Sequence, residues 1–282
     1  MDLRLRFEGR DAFLRAEGPA GVKTVLFLHP FPLDGSCWTG YLGRCAAAGV
    51  RGASVDAPGF GQSIAAGRPF TMDDLARLAA AALDALGAKS ATLAGCSMGG
   101  YATLAFHRLF PARLEGAALL CTKASADSEE AKKRREEQAR AALDQGPDSV
   151  TATLLPKLLS PSSPRAALDR AKSFARSATA QGVADALRGM ALRPDSTPDL
   201  PRWRVPAVVV AGEDDQVIPG AETAALARGI PGATHAVIGG AGHLAFLEKP
   251  DEVWSAIQGL IAREERASPA SPVAEAERPE HD

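Results

Sequence analysis

The residues with the clearest potential for chemistry lie in Gly95-Cys96-Ser97-Met98-Gly99, where a glycine stands two positions on either side of a serine. A short apolar run at 91–94 precedes this motif, and a segment with helical periodicity follows it. On a sharp strand-to-helix turn, a serine hydroxyl projects into a cleft where a base can activate it for attack on a carbonyl group. The pattern therefore predicts Ser97 as a nucleophile, with the backbone N–H of Met98 at the helix N-terminus as an oxyanion donor.

Two other interpretations of this segment stay open. It is also compatible with an ordinary glycine-rich turn between a strand and a helix. Cys96 is a rival nucleophile within the same motif. On such a turn its side chain is expected to point away from the cleft that receives Ser97, which favours a packing role for the thiol.

His243 is the histidine best placed to act as a general base. It follows a glycine-rich loop directly after the last predicted strand. Loops at the carboxyl ends of parallel strands form the ligand-binding edge of open α/β sheets. His107 lies in a predicted helix and His235 in a predicted strand, so both are expected to be structural, while His281 lies near the end of the chain. The alternative is that His243 is an ordinary histidine of a surface loop.

Three consecutive acidic residues, Glu213, Asp214 and Asp215, follow the most pronounced apolar run. A buried carboxylate here could accept the Nδ1 proton of His243 and stabilise the imidazolium that forms during catalysis. Position alone does not decide which of the three acids would pair with His243, and each of them could instead be a solvated turn residue. Ser97, Asp215 and His243 nevertheless occur in the order nucleophile, acid, histidine, which favours them as a catalytic triad.

The segment His29-Pro30-Phe31-Pro32 follows another predicted strand. Neither proline has a backbone N–H, so Phe31 is the residue that can supply a second oxyanion donor beside Met98. His29 is expected to brace this loop rather than to perform acid–base chemistry.

The elements that must position these residues follow from the hydrophobic pattern. Short apolar runs without polar alternation are typical of strands buried on both faces of a parallel sheet; they occur at 24–28, 52–55, 91–94, 117–121, 207–211 and 234–238. A hairpin at 3–7 and 12–16 is predicted at the sheet edge. Segments with helical periodicity lie between the runs, at 72–86, 99–110, 221–228 and 251–262. This alternation predicts an α/β fold with a mostly parallel sheet covered on both faces.

The alternation is interrupted by residues 123–201, which are helical in pattern and contain no convincing strand. We expect a helical cap inserted into a core formed by residues 1–122 and 202–263. Residues 264–282 are rich in Ala, Glu, Ser and Pro and have few large apolar side chains. Such a composition predicts a disordered tail.

The composition narrows the class of protein. With 282 residues, 46% of them hydrophobic, the chain can form one sizeable core. The net charge of −2 and the absence of a basic stripe argue against a nucleic-acid partner. No apolar run reaches the roughly 20 residues that span a bilayer, and no secretory signal is evident. The four cysteines lack metal-ligand spacing. We expect a cytoplasmic protein that acts on a small molecule, and the sequence carries no signal for oligomeric state.

The motifs together resemble the α/β-hydrolase superfamily, in its serine-nucleophile branch. The matching segments occur in family order across residues 25–262, at 29–31, 56–63, 95–100, 212–219 and 242–243. The resemblance implies an α/β-hydrolase fold, with a mostly parallel eight-stranded sheet and a helical cap over the active site. It selects Asp215, which stands three residues after a glycine and four before a proline. It also assigns the oxyanion donors to the N–H groups of Phe31 and Met98.

The nearest look-alikes are small-ester carboxylesterases, 3-oxoadipate enol-lactonases and carbon–carbon bond hydrolases. The serine at position 97 separates the chain from haloalkane dehalogenases and epoxide hydrolases, which use aspartate there. The resemblance therefore implies hydrolysis of a small carboxylic ester or lactone through an acyl-enzyme, with no metal or organic cofactor. Two alternatives are a cofactor-free carbon–carbon hydrolase or lyase, for which Arg193 is the candidate proton donor in the cap, and a low-turnover ligand-binding protein.

The chain departs from the family pattern at His29-Pro30, where the family usually has His-Gly, and the proline should stiffen the oxyanion loop. Among apolar residues of the cap, packing within the cap is favoured over lining an acyl pocket; these residues are Leu155, Leu158, Leu159, Phe174 and Met190.

Overall fold

The computed structural model describes residues 1–267, which form an eight-stranded sheet in the order β1-β2-β4-β3-β5-β6-β7-β8. Its strands are β1 (Asp2–Phe7), β2 (Arg10–Glu17), β3 (Thr24–Leu28), β4 (Arg51–Val55), β5 (Ala91–Cys96), β6 (Leu114–Leu120), β7 (Ala207–Gly212) and β8 (Thr234–Ile238). The β1–β2 hairpin is antiparallel and joins β4 in antiparallel fashion. All other neighbours are parallel, so the predicted mostly parallel sheet is confirmed.

Helices cover both faces of this sheet. They are α1 (Thr39–Ala47), α2 (Met72–Ala85), α3 (Met98–Leu109), α4 (Glu129–Gln145), α5 (Asp148–Leu154), α6 (Arg165–Ala175), α7 (Ala180–Ala191), α8 (Gly220–Gly229), α9 (Ala245–Glu248) and α10 (Pro250–Ala267). Alternate residues of β3 enter opposite cores: Leu26 packs with α2 and α3, whereas Val25 and Phe27 pack with α1 and α10. Burial on both faces explains why the central strands are continuous apolar runs.

Helix α2 begins with a reciprocal cap between Thr71 and Asp74. The hydroxyl of Thr71 accepts a hydrogen bond from the N–H of Asp74 at 3.1 Å, and the Asp74 carboxylate accepts one from the N–H of Thr71 at 2.8 Å. This reciprocal pair satisfies two N–H groups that have no partner within the helix. The cap thereby fixes the start of α2 at the end of the loop that follows β4.

Within the described part of the chain, the connection between β6 and β7 contains helices joined by loops, and no strand. Helix α4 packs against α7, and the Arg188 guanidinium of α7 pairs with Glu136 of α4 at 2.9 Å. We call α4–α7 the inserted helices. Their role as a cap, and the boundaries at 123 and 201, remain predictions.

The C-terminal helix α10 corrects the expected start of the tail at Glu264. That residue lies inside α10 and is buried, with its carboxylate accepting hydrogen bonds from Lys23 at 2.8 Å and from Thr92 at 2.7 Å. These partners are far away in the sequence, so local composition carried no sign of them. The remainder of the predicted tail, residues 268–282, lies outside the described residues.

In residues 1–267, no helix combines the length and the apolar character needed to cross a bilayer.

Candidate active site

Ser97 occupies a strained turn between β5 and α3. Its φ of 51° and ψ of −110° lie where residues with a side chain are rarely found. The surrounding structure holds this conformation through three hydrogen bonds. The N–H of Ser97 donates to the Leu120 carbonyl at 2.9 Å, while its own carbonyl accepts from the Tyr101 N–H and the Thr122 hydroxyl, each at 3.0 Å.

Glycines on either side of the serine allow strand and helix to approach closely. A Cβ atom on Gly95 would overlap the carbonyl group of Gly99, and a Cβ atom on Gly99 would overlap the carbonyl of Leu28 in β3. Either substitution would force α3 away from the sheet. The small residues of the motif are therefore a requirement of backbone packing, as the sequence pattern predicts.

The Ser97 side chain faces a cavity of about 300 Å³ at the carboxyl edge of the sheet. Phe31 and His243 line the same cavity, so the structure brings three of the predicted site residues together. Further lining residues come from α3, from the segment that follows β6 and from the inserted helices; they include Tyr101, Lys123, Asp127, Arg135, Leu154, Leu158, Leu187 and Met190.

Asp215 and His243 form a buried pair. The Nδ1 atom of His243 lies 2.8 Å from Oδ2 of Asp215, and the two side chains are 1% and 2% exposed. The other carboxylate oxygen, Oδ1, accepts hydrogen bonds from the N–H groups of Val217 at 2.8 Å and Ile218 at 2.9 Å. Since an ionised carboxylate only accepts, Nδ1 carries the proton and Nε2 is left as the basic nitrogen.

The two neighbouring acids have other partners. The Asp214 carboxylate accepts a hydrogen bond from the Ser160 hydroxyl at 2.6 Å, and the Glu213 carboxylate accepts one from the N–H of Gly240 at 2.9 Å. Neither is hydrogen-bonded to His243. Of the three competing acids, the structure thus pairs Asp215 with the histidine.

Met98 directly follows Ser97 in the chain, and Phe31 lines the same cavity as Ser97. Met98 is the first residue of α3, where an N–H has no intrahelical acceptor, and its side chain is buried in the core. In the part of the chain that the structure describes, no hydrogen-bond acceptor is found for the N–H of either residue. Both N–H groups are therefore unused within the described residues, and their role as oxyanion donors stays a prediction.

His29 lies behind this loop rather than in the cavity. Its Nε2 accepts a hydrogen bond from the N–H of Ala57 at 2.9 Å, and its Nδ1 lies 3.1 Å from the carbonyl oxygen of Pro30. Nδ1 is therefore the protonated nitrogen, and burial lowers the pKa of His29, which keeps the ring neutral. These contacts tie the β3 loop to the β4 loop, in keeping with a bracing role.

Cys96 is placed away from the cavity. Its Sγ lies 3.8 Å from the carbonyl oxygen of His243, in the fully buried core. Burial raises the pKa of the Cys96 thiol well above its ordinary value, so the thiolate needed for nucleophilic attack is disfavoured. His107 stacks on Trp203 with ring centroids 4.0 Å apart, and His235 lies in the edge strand β8, so neither reaches the site.

The expectation of packing holds for the cap side chains, and two of them also line the cavity. Leu158 and Met190 are buried in the apolar clusters and contribute to the cavity wall. Leu155 and Leu159 are buried in an apolar cluster, and Phe174 packs against it partly buried. Which of these side chains reach the cavity depends on how the inserted helices are oriented over Ser97, and the apolar pattern within each helix does not specify that orientation.

Arg193 does not line the cavity that holds Ser97. It is 6% exposed, pairs with Asp127 at 2.8 Å, and its guanidinium lies 4.0 Å from the centre of the Tyr101 ring. A second hydrogen bond runs to the Ser125 carbonyl at 2.8 Å. Arg193 therefore joins the start and the end of the inserted segment, and it lies outside the cavity in which a proton donor would be needed.

Sequence reasoning did not single out the polar residues Lys123, Asp127 and Arg135 of the cavity. For Lys123 a signal was present. It follows β6 by three residues, and β6 is the neighbour of β5, which carries Ser97 at its end. The rule that located His243, a side chain just beyond the carboxyl end of a strand, applies equally to Lys123.

A family model described as the alpha/beta hydrolase fold matches residues 23–250, and the chain belongs to this family. An esterase from Thermogutta terrifontis, solved with malate bound, superimposes with a TM-score of 0.88 and is 33% identical, over 94% of this chain and 99% of that one. An enol-lactonase from Burkholderia xenovorans LB400 has a TM-score of 0.85 at 23% identity, over 92% and 100%. At that identity the second likeness concerns the fold alone.

Among curated proteins, the chain is similar to a 2-hydroxy-6-oxononadienedioate/2-hydroxy-6-oxononatrienedioate hydrolase of Paraburkholderia phymatum. The two are 36% identical over 99 residues, so the match spans 34% of each protein. The family match and these relatives support an enzyme of the hydrolase class.

Proposed function

We propose that the protein is a serine hydrolase that cleaves a small carboxylic ester or lactone through an acyl-enzyme. The observation that carries the proposal is the buried hydrogen bond between His243 and Asp215. The same histidine lines one cavity together with Ser97. The pairing leaves Nε2 of His243 unprotonated, so that this nitrogen can accept a proton as a general base.

In the proposed reaction, Nε2 of His243 takes the hydroxyl proton as Oγ of Ser97 attacks the ester carbonyl. The N–H groups of Phe31 and Met98 hold the oxyanion of the tetrahedral intermediate. The intermediate collapses as the carbon–oxygen bond breaks, and His243 protonates the departing alcohol. Water then attacks the acyl-enzyme with the same base, which releases the acid and restores the serine.

The relatives support an ester or lactone more than a carbon–carbon bond. The Thermogutta terrifontis protein, named an esterase, is similar over nearly its whole length, whereas the carbon–carbon hydrolase name comes from a match to a third of that protein. The cap residue considered for carbanion protonation, Arg193, does not line the cavity and is paired with Asp127, which does. A guanidinium is also a poor proton donor, because it is a very weak acid.

Labelling with a fluorophosphonate probe tests the proposal, combined with hydrolysis of 4-nitrophenyl acetate, butyrate and octanoate. We expect the wild-type protein to be labelled and to turn over at least one ester. Ser97→Ala should abolish labelling and lower kcat by roughly 10⁶-fold, because the nucleophile is lost.

The matched control is Cys96→Ser, which changes the adjacent rival side chain and should keep labelling. A folded wild-type protein that neither reacts with the probe nor hydrolyses the esters would contradict the proposed function and favour the low-turnover ligand-binding alternative.

A further inference from the structure

The cavity that contains Ser97 is positively charged, although the chain as a whole has a net charge of −2. Its lining includes three cationic side chains, Lys123, Arg134 and Arg135, against the single carboxylate of Asp127. The remaining wall is largely apolar, with leucines at 154, 158 and 187. Charge of one sign in a cleft with apolar walls concentrates its field there and attracts ligands of the opposite sign.

The negative charge of Asp127 is already neutralised within the protein. Arg135 donates to its Oδ2 through Nε, and Arg193 lies 2.8 Å from its Oδ1. Burial alone would raise the pKa of Asp127, but the two guanidinium groups outweigh burial and the pKa is lowered, so the carboxylate stays ionised. The three side chains together carry one positive charge, and Asp127 has no oxygen left that would repel a bound anion strongly.

The cations differ in what they are free to bind. Arg135 is engaged with Asp127 and contacts the sulfur of Met190 at 3.6 Å. Arg134 is 65% exposed and lies 3.4 Å from Glu130. Lys123 is partly buried, and among residues 1–267 its ammonium has no hydrogen-bond or ion-pair partner. Lys123 directly follows Thr122, whose hydroxyl donates a hydrogen bond to the carbonyl of Ser97. The backbone at Lys123 is therefore tied to the turn that carries the nucleophile.

We propose that Lys123 binds a carboxylate of the substrate, so that this enzyme acts on esters or lactones carrying a negatively charged carboxylate in addition to the bond that is cleaved. This inference rests on the proposed function, whose substrate class it narrows. A partly dehydrated ammonium without a partner is costly, and a substrate carboxylate supplies the charge-assisted hydrogen bond that it lacks. The net positive Arg135–Asp127–Arg193 group strengthens the same preference.

Two esters that differ only in charge test this proposal: monoethyl glutarate, an anion, and ethyl glutaramate, in which a neutral amide replaces the carboxylate. Release of ethanol gives kcat/KM for each. We expect wild-type protein to prefer the anion by about tenfold to a hundredfold, as for a hydrogen bond between charged groups. Lys123→Met should lower that ratio by about tenfold or more, whereas the control Lys133→Met, on the exposed face of α4, should retain it.

A binding measurement separates this proposal from the proposed function. Glutarate binding is measured by calorimetry on wild type, Ser97→Ala, Lys123→Met and Lys133→Met, each checked for folding by circular dichroism. Loss of glutarate affinity in Lys123→Met alone supports the anion site, even when no variant turns over an ester and the hydrolase proposal fails. Conversely, Ser97-dependent hydrolysis with equal kcat/KM for the two esters, or an unchanged ratio in Lys123→Met, overturns the anion site and leaves the hydrolase proposal standing.

Discussion

Asp215 uses its two carboxylate oxygens for different purposes. One holds His243, and the other is fixed by the N–H groups of Val217 and Ile218. The carboxylate therefore cannot rotate without breaking two backbone hydrogen bonds. The histidine ring is held in one orientation and one tautomer before any substrate arrives, which is the condition for an efficient general base.

This arrangement predicts a large effect of Asp215→Asn. The amide no longer carries a charge that favours the imidazolium, and it stabilises the wrong tautomer of His243, so we expect kcat to fall by about 10⁴-fold. The measurement is kcat for ester hydrolysis at pH 8. Asp214→Asn is the matched control, because Asp214 bonds Ser160 instead of the histidine. Comparable losses in the two variants would be inconsistent with the assignment of Asp215.

At the residue scale, the sequence was informative wherever chemistry depends on local geometry. Ser97 was identifiable because glycines at 95 and 99 are needed for the close approach of α3 to the sheet. Lys123 and Asp127 were not singled out, because their importance comes from the cavity they share with Ser97 and not from any spacing between them. Arg193 was misjudged for the same reason, since its partner Asp127 lies 66 positions away (193 − 127).

At the scale of elements, the short helix α9 joins the histidine loop to the inserted helices. The carboxylate of Glu248 accepts hydrogen bonds from the N–H of Gly242 and from the N–H of Ser160, each at 2.8 Å. The N–H of Leu244 donates to the Leu158 carbonyl at 2.9 Å. We call these contacts the α9 junction. Gly242 and Leu244, the two neighbours of His243 in the chain, each form one of its hydrogen bonds, so the junction holds His243 from both sides.

We expect Glu248→Gln to weaken this junction, because the amide NH₂ faces a backbone N–H and leaves it without an acceptor. Unfolding should become easier by about 1–3 kcal/mol, and kcat should fall as the His243 loop loosens. Urea unfolding and ester kinetics on the same preparations measure both effects. Glu252→Gln, on the exposed start of α10, is the control and should leave both quantities near wild type. A loss of stability without any change in kcat would show that Glu248 does not position the histidine.

The elements of the sheet were more predictable than those that cover it. Strands buried on both faces read as uninterrupted apolar runs, and their bounds agree with β3, β5 and β7 to within two residues. Helix α1 was not anticipated, since it follows a short turn capped by the Asp34 side chain instead of a recognisable helical cap. The end of α10 was misplaced because Glu264 is held by Lys23 and Thr92 through tertiary contacts.

At the scale of the whole molecule, the buried neutral His29 makes folding sensitive to pH. Its pKa is lowered in the folded state by burial, whereas an unfolded histidine titrates near about 6.5. As the pH falls through that value, the unfolded chain takes up a proton that the folded chain does not, so stability decreases. His107 and His235, whose pKa values are also lowered by burial, act in the same direction.

We therefore expect the free energy of unfolding of the wild-type protein to be lower at pH 5.5 than at pH 7.5. His29→Gln should show a smaller difference between the two pH values, whatever its stability at pH 7.5, because one of the contributing groups is gone. Urea unfolding at both pH values provides the comparison. An equal pH dependence in wild type and variant would be evidence against a neutral buried His29.

The inserted helices are connected to the core between β6 and β7, two strands that pair directly with each other. The pairing of these two strands does not involve the connection itself, so the register of the sheet that carries Ser97 can be kept when the connection changes. The cavity wall, in contrast, takes Leu158, Leu187 and Met190 from the inserted helices. Mutations that accumulate in this one connection can therefore reshape the pocket while the sheet is inherited unchanged, provided that Ser160 and Leu158 keep their hydrogen bonds to the loop and helix around His243.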